Sequence, residues 1–250
     1  MKYSKQIKTE LCAYSVEACR VAASLGVNRV ELCASPAEGG VTPSYATIER
    51  VSKIEGLDLS VMIRPRGGDF LYSDEEFQTM LADIDYAREA GATGVVFGIL
   101  TADGRVDVER TRLLVERAEG LETTFHRAVD MTQNYAEAVE AVIATGCKRI
   151  LTSGGYDKAI DGIDNIARAV EVAAGRIEIM AGSGVVASNA EALASVGVDA
   201  LHFSAKRMVL GGMEYRNPRI SMGGSAAVDE FSLRVVDEEE VKKILTLIRE

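Results

Sequence analysis

The sequence contains no apolar run long enough to cross a bilayer. Residues 1–13 also lack the charged, apolar, small-residue order of a secretory leader. We therefore expect a cytoplasmic protein. Positive charge is scarce as well, since 28 lysines and arginines stand against 38 aspartates and glutamates, for a net charge of −10. Nucleic acid and anionic membranes attract basic surfaces, so we expect neither as a partner.

Cysteine and histidine are both rare. Four cysteines among 250 residues are too few for a disulfide framework in a chain of this size. In a reducing compartment they are thiols that pack, bind a metal or react. The two histidines, His126 and His202, are few enough for their positions in the fold to be informative.

Apolar residues make up 47% of the chain, enough for a substantial core. Short apolar strands alternate with helices about eight times, and no change of composition marks a domain boundary. This pattern favours a single (β/α)8 TIM barrel over an open doubly wound sheet, which usually has five or six strands. The predicted strands are 7–13, 29–33, 59–64, 94–98, 122–126, 149–152, 177–181 and 200–203.

The rhythm changes after the eighth strand. A long loop, 204–236, is rich in glycine, methionine and arginine. Loops of this length are functional, disordered or oligomer contacts, and the sequence leaves all three open. A final helix is predicted from Asp237 and can serve as the eighth helix of the barrel. The whole chain, 1–250, is therefore predicted to be one domain. One face of the final helix carries apolar residues, namely Val241, Ile244, Leu245 and Ile248.

The active site of such a barrel lies at the carboxyl ends of its strands. His126 and His202 both fall at predicted strand ends, which favours a shared site over two isolated core histidines. Glu10 and Glu31 lie within apolar strands, where a carboxylate needs a partner. Both an ion-pair scaffold and direct catalysis explain these acids, and catalytic roles are predicted for all four residues.

An arginine pair follows the third strand, in Arg64-Pro65-Arg66. In an extended chain Arg64 and Arg66 share a face, and the proline keeps the first of them extended. Two guanidinium groups so placed can hold a carboxylate or phosphate. We predict that this pair, with Arg127, binds an anion and supplies the partners for the two buried acids. A solvated loop is the alternative.

Glycine-rich turns follow the sixth and seventh strands. They expose backbone N–H groups near helix starts, a common way to hold phosphate in barrels. Tight turning alone also explains the glycines. The predicted phosphate-binding residues are Ser153, Gly154, Gly182, Ser183 and Gly184.

Cys12 and Cys33 occupy equivalent positions on neighbouring strands, which lie about 4.8 Å apart in a parallel sheet. Two such thiols can bind a soft ion such as Cu(I), or they can simply pack. Their spacing matches no zinc motif.

Several segments together resemble the CutC copper-homeostasis family. The similarity extends from the first strand to about residue 224, and the string in 62–70 makes it specific. The matching segments are 31–33 (ELC), 38–43 (EGGVTP), 62–70 (MIRPRGGDF), 96–98 (VFG), 124–128 (TFHRA), 151–155 (LTSGG) and 201–204 (LHFS).

The resemblance implies a cytoplasmic TIM barrel that acts in copper homeostasis and forms a homo-oligomer, a dimer or tetramer. It also implies Cu(I) as the bound metal, with Cys12 and Cys33 as its ligands. The residues at the barrel end leave a second hypothesis open, an enzyme that acts on a small anionic metabolite, with or without a phosphate group. An isomerase, lyase or aldolase-like reaction would suit that set.

Overall fold

The computed structural model describes residues 6–217, 219–220 and 230–249. Its centre is a closed barrel of eight parallel strands, in which each strand pairs with the next along the chain and the eighth pairs with the first. The predicted (β/α)8 barrel is confirmed. The strands are β1 (Lys8–Ala13), β2 (Arg29–Leu32), β3 (Asp58–Met62), β4 (Gly94–Phe97), β5 (Glu122–Phe125), β6 (Arg149–Thr152), β7 (Glu178–Gly182) and β8 (Ala200–Phe203).

Helices connect successive strands and surround the barrel. The final helix has the predicted apolar face buried and packs against the helix before it. None of the helices in the described ranges is long and apolar enough to span a membrane. The helices are α1 (Val16–Ser24), α2 (Tyr45–Ser52), α3 (Asp74–Glu89), α4 (Val108–Arg117), α5 (Tyr135–Thr145), α6 (Ile163–Ala173), α7 (Ala187–Ser195) and α8 (Glu238–Arg249), with short 3-10 helices at Pro36–Glu38 and Arg127–Met131.

Local sequence signals set where the helices begin. The sequence Ser73-Asp74-Glu75-Glu76 predicts a capping box at the start of α3, and the structure contains it: Ser73 accepts the N–H of Glu76 and the Glu76 carboxylate accepts the N–H of Ser73. For α2 the sequence Thr42-Pro43 predicts an N-cap followed by a first-turn proline, but the helix begins later, with Ser44 as its N-cap. Thr42, the predicted N-cap, instead exchanges hydrogen bonds with the backbone of Arg64 and ties the start of α2 to the end of β3.

Successive side chains along each strand point alternately toward the surrounding helices and into the barrel interior. One set of strand residues, such as Leu11, Val61 and Phe97, packs against the helices in the largest apolar cluster. The intervening residues belong to the barrel interior, where Glu10 and Arg149 are almost fully buried. The interior of this barrel is therefore partly charged, and its charges need partners there.

The loop predicted at 204–236 contains regular structure at both ends. Lys206–Leu210 (β9) pairs with Ser232–Val236 (β10) in a two-stranded antiparallel ribbon. Both strands are mostly exposed and their partners are distant in sequence, so no local pattern predicted the pairing. Residues 218 and 221–229 of this loop lie outside the described residues.

Candidate functional site

A cavity of about 760 Å³ is lined by residues at or just beyond the carboxyl ends of the strands. This is the end of the barrel where the sequence predicts a site. The predicted residues that line it are Cys12, Glu31, Arg64, His126, Arg127, Ser183, Gly184 and His202. The predicted residues outside the lining are Glu10, Cys33, Arg66, Ser153, Gly154 and Gly182.

Glu10 is fully buried beside the cavity and holds two cationic partners. Arg29 donates to one carboxylate oxygen, and His202 Nδ1 lies 2.8 Å from the other. Burial alone would raise the pKa of the Glu10 carboxyl, but Arg29 and His202 outweigh it and lower the pKa to about 2. Glu10 is therefore a carboxylate that orients the imidazole of His202.

The partner predicted for Glu10 was one of the arginines at the strand ends, and that prediction is wrong. Arg29 is the partner because it is the register neighbour of Glu10 on β2. The sequence did carry a signal for this pairing. Arg29 begins a predicted apolar strand, and its side chain falls in the same alternating set as Glu31.

Glu31 faces the other nitrogen of the same imidazole. Its Oε2 atom lies 3.7 Å from His202 Nε2 and accepts from Cys33 Sγ at 3.6 Å. Its Oε1 atom has no hydrogen-bond partner within the described part of the chain. Burial raises the pKa of Glu31 to about 8. Burial would lower the pKa of His202, but Glu31 and Glu10 raise it well above its usual range.

The two predicted thiols meet beside Glu31. The ligand atoms of Cys12, Cys33 and Glu31 all lie within 4.8 Å of one another. Their relation differs from the predicted one, because the register partner of Cys12 is Glu31 and Cys33 follows two residues later. The stagger of strands in a closed barrel brings the two sulfurs together despite that offset.

The thiols differ in exposure and in acidity. Cys12 lines the cavity and is partly exposed, whereas Cys33 is buried. Their mutual hydrogen bond lowers the pKa of Cys12 well below its usual range and raises that of Cys33. Two adjacent sulfurs suit Cu(I), a soft ion that prefers thiolate ligands. The donor set therefore fits the ion that the sequence resemblance implies.

Arg64 is buried, and most of its N–H groups donate to backbone carbonyls. Its Nη1 atom donates to the carbonyls of Glu38 and Gly40 at 2.7 and 3.0 Å, and its Nη2 atom to that of Gly68 at 2.7 Å. The Nε atom is buried and has no partner among the described residues. Arg64 thus fixes the loops around the cavity, while its Nε–H is left for another acceptor.

Arg66 does not join Arg64 in the cavity. Its Nε atom donates to Glu76 at 2.6 Å, and other nitrogens bond the carbonyls of the loop that follows it. Asp69 adds an ion pair at 3.1 Å. The predicted clamp of two arginines is therefore not formed, because the loop that follows Arg66 brings its own carbonyls and the Glu76 carboxylate within reach of the Arg66 side chain.

His126 lies across the cavity region from the thiols, at the end of β5. Its Nδ1 atom accepts the N–H of Ala128 at 3.2 Å, and its Nε2 atom is buried without a partner in the described chain. Burial, helped by the charge of Arg64, lowers the pKa of His126 to about 3. The ring is neutral, so the proton must reside on Nε2. Phe70 packs on the ring with centroids 4.9 Å apart.

The glycine turn after β6 is already occupied by a side chain of the protein. Asp130 accepts the N–H of Ser153 at 2.9 Å and that of Gly155 at 3.0 Å, while Thr152 accepts that of Gly154. A carboxylate of the chain thus takes the place predicted for phosphate. Asp130 lies just beyond the predicted fifth strand, and nothing in the sequence pattern indicates this role for it.

Arg127 and the turn after β7 complete the rim. Arg127 pairs with Asp130 at 3.0 Å and donates to Ser153 Oγ at 2.8 Å. Ser183 and Gly184 line the cavity, whereas Gly182 packs beneath them against Leu151 and His202. Of the two glycine turns, the one after β7 is therefore the one that borders the cavity.

Fold and site together define a (β/α)8-barrel protein whose cavity, at the carboxyl ends of its strands, is lined by both charged and apolar side chains. The CutC family model matches residues 7–207, and the chain belongs to that family. It is 46% identical over 241 residues to a CutC family protein of Bacteroides fragilis, covering 96% of each chain. It is 42% identical over 236 residues to the human copper homeostasis protein cutC homolog, covering 94% of this chain and 86% of that protein.

Solved structures agree with the fold. The copper homeostasis protein CutC of Streptococcus agalactiae superposes with a TM-score of 0.75 at 36% identity, covering 79% of this chain and 98% of that one. An aldolase named QR15 superposes with a TM-score of 0.62 at 18% identity, over 81% of this chain and 90% of that one. The second likeness shows the fold alone.

Proposed function

We propose that this CutC-family protein acts in copper homeostasis by binding Cu(I) through Cys12 and Cys33. The observation that carries the proposal is the cluster of both sulfurs and the Glu31 carboxylate within 4.8 Å. Thiolates are strong ligands for Cu(I), and Cys12 gives the ion access from the cavity. The copper-homeostasis name of the human relative supports the same function.

The two sulfurs are the primary ligands in this proposal, and Glu31 has a minor role. A carboxylate oxygen is a hard ligand that suits Mg²⁺ or Ca²⁺ better than Cu(I). Glu31 Oε2 lies 3.6 Å from Cys33 Sγ, so the carboxyl group helps to position that thiol. Replacing Glu31 should therefore weaken binding less than replacing either cysteine.

Anaerobic titration with Cu(I) against a chromogenic chelator tests the proposal. The wild-type chain should bind one Cu(I), and a Cys12→Ser/Cys33→Ser variant should bind none at the same chelator concentration. A Cys19→Ala/Cys147→Ala variant is the matched control, because it also removes two thiols but leaves the cluster intact. An unchanged stoichiometry in the Cys12→Ser/Cys33→Ser variant would rule the proposal out.

The proposal also includes a cellular setting. Cu(I) and free thiols both require reducing conditions, which favours the cytoplasm.

We propose a homo-oligomer, a dimer or tetramer, because the β9–β10 ribbon exposes the apolar side chains of Met208, Leu210 and Leu233. Light scattering after gel filtration would measure the number of copies, and a monomer at micromolar concentration would refute this part.

A second candidate function is proton transfer on a small anionic metabolite. It is favoured by the imidazole of His202, which is held between Glu10 and Glu31 next to a cavity of small-molecule size. The pKa of Glu31, raised to about 8 by burial, suits a group that exchanges protons near neutral pH. Many isomerase, lyase and aldolase-like reactions depend on such a transfer.

Hydrogen–deuterium exchange into candidate substrates tests this second function without a known product. Small oxo-acids, hydroxy-acids and sugar phosphates would be incubated with the protein in D₂O and followed by proton NMR. Exchange should occur for one of these classes and fall at least about a hundredfold in Glu31→Gln. Exchange that is absent from all classes, or unchanged by the substitution, would refute it.

A further inference from the structure

Two N–H groups beside the cavity are buried and make no hydrogen bond within the described residues. They are Nε of Arg64 and Nε2 of His126. Leaving a buried donor unpaired costs about 1–3 kcal/mol, so native structures rarely keep one without a reason. Both residues line the same cavity. A ligand acceptor that reached both groups from that cavity would satisfy them.

The donor character of His126 is fixed by its surroundings. Because Nδ1 accepts the N–H of Ala128, the neutral ring carries its proton on Nε2. The ring cannot easily reverse these roles, since that would leave the Ala128 N–H unpaired. Nε2 therefore presents a hydrogen to an acceptor and cannot itself accept one.

The positive charge of Arg64 is also not neutralised by an acidic side chain of the described residues. The carbonyls of Glu38, Gly40 and Gly68 accept from Arg64, and the Tyr72 hydroxyl lies beside it; these uncharged groups hold the guanidinium in place without neutralising it. A buried cation is most stable beside an anion. Arg66 differs in this respect, because Glu76 and Asp69 already neutralise it.

Phe70 brings the two groups into one apolar surrounding. Its ring centroid lies 5.0 Å from the guanidinium carbon of Arg64 and 4.9 Å from the centroid of the His126 ring. An aromatic wall of this kind excludes water and strengthens hydrogen bonds to an anion. The lowered pKa of His126 agrees with this arrangement, since it arises from burial and from the nearby charge of Arg64.

We infer that Arg64 Nε and His126 Nε2 form a subsite for the oxygen atoms of one small anion, a carboxylate or a phosphate. Arg64 supplies the counter-charge, and His126 supplies a neutral donor that does not compete for the proton of the ligand. This subsite replaces the arginine pair predicted from the sequence. It rests on the second candidate function for its role, because there it would anchor the substrate. It is independent of copper binding.

The chain's two histidines make the test direct, because nitrogen-15 NMR of the imidazoles has only two sets of signals to assign. Inorganic phosphate and malonate are the probes, titrated to tens of millimolar. Saturation with one of them should shift the His126 Nε2 signal and its attached proton, while His202 should move less. A His126→Gln variant assigns the signals.

Affinity measurements on variants complete the test. His126→Phe keeps the ring against Phe70 but removes the donor, and it should weaken binding of the probe at least about tenfold. Arg64→Lys keeps a cation but removes Nε–H, and it should weaken binding similarly. His126→Gln keeps an N–H donor and should restore part of the affinity. Arg66→Lys should change the affinity by less than about twofold.

Two results would overturn the inference. One is the absence of a shift at His126 with either probe in the wild-type protein. The other is an affinity that His126→Phe and Arg64→Lys leave unchanged while both variants remain folded by circular dichroism. Anion binding at His126 without hydrogen exchange into any metabolite would refute the second candidate function and leave the subsite standing.

Discussion

His202 Nδ1 lies 2.8 Å from Glu10 Oε1, and both side chains are buried. The two residues are register partners on β8 and β1, so their contact joins the last strand of the barrel to the first. Arg29, the register partner of Glu10 on β2, holds the other carboxylate oxygen. One carboxylate therefore links three neighbouring strands next to the cavity.

Glu10→Gln should destabilise the protein strongly. The substitution leaves Arg29 and His202 buried without their counter-charge, and breaking a buried ion pair in this way typically costs about 3–5 kcal/mol. Urea unfolding at pH 7 measures the loss. Glu49→Gln is the control, since it breaks an exposed pair with Lys53 and should have little effect. A loss of less than about 1 kcal/mol in Glu10→Gln would contradict the prediction.

His126 should make stability depend on pH in the acidic range. Its pKa falls from 6.5 in the unfolded chain to about 3 in the folded protein, so between these values only the unfolded chain binds the proton. Stability is therefore lost as pH falls from 6.5 towards 3. At pH 5 this amounts to about 2 kcal/mol.

The measurement is the difference in unfolding free energy between pH 7 and pH 5, for wild type and for His126→Gln. The difference should be smaller by about 2 kcal/mol in the variant, which has no group to titrate at this position. Comparing two pH values within each protein cancels any loss of packing caused by the substitution itself. Equal differences in the two proteins would show that His126 is not buried as a neutral ring.

The sequence was sufficient for the barrel because short strands and helices alternate with strong local signals. The predicted ranges 149–152 and 200–203 coincide with β6 and β8. The capping box at Ser73 was readable for the same reason, since all its parts lie within four residues. The two histidines were also placed correctly at strand ends, and both line the cavity.

The partners within the site depended on distances that a single sequence does not contain. Glu10 and Glu31 were correctly expected to need partners, but the stagger between strands decided that Arg29 would serve Glu10. Arg64 lines the cavity and Arg66 does not, and this difference depended on which loop carbonyls each side chain could reach. The β9–β10 ribbon pairs strands that are more distant in sequence than any local pattern extends.

Gly98→Ala should displace His126. A Cβ atom at position 98 would lie 2.6 Å from two ring atoms of His126, far closer than carbon atoms pack. Overpacking of this kind typically costs about 1–3 kcal/mol, and here it should also weaken phosphate or malonate binding. Gly212→Ala is the matched control, because no heavy atom of the described residues lies within 4 Å of its Cβ. A Gly98→Ala protein with wild-type stability and anion affinity would contradict the placement of His126.

Cys12 should be the first of the four cysteines to react with iodoacetamide. It alone among them is partly exposed, and it lines the cavity. Burial raises the pKa of Cys19 to about 12 and that of Cys147 to about 11, so both thiols stay protonated and unreactive at neutral pH. Peptide mass spectrometry over a time course measures the order of labelling.

Anaerobic Cu(I) should then slow the labelling of Cys12 and leave the other rates unchanged, because only Cys12 and Cys33 would hold the ion. Labelling of Cys19 or Cys147 ahead of Cys12, or a Cys12 rate that does not respond to Cu(I), would contradict this account of the cluster.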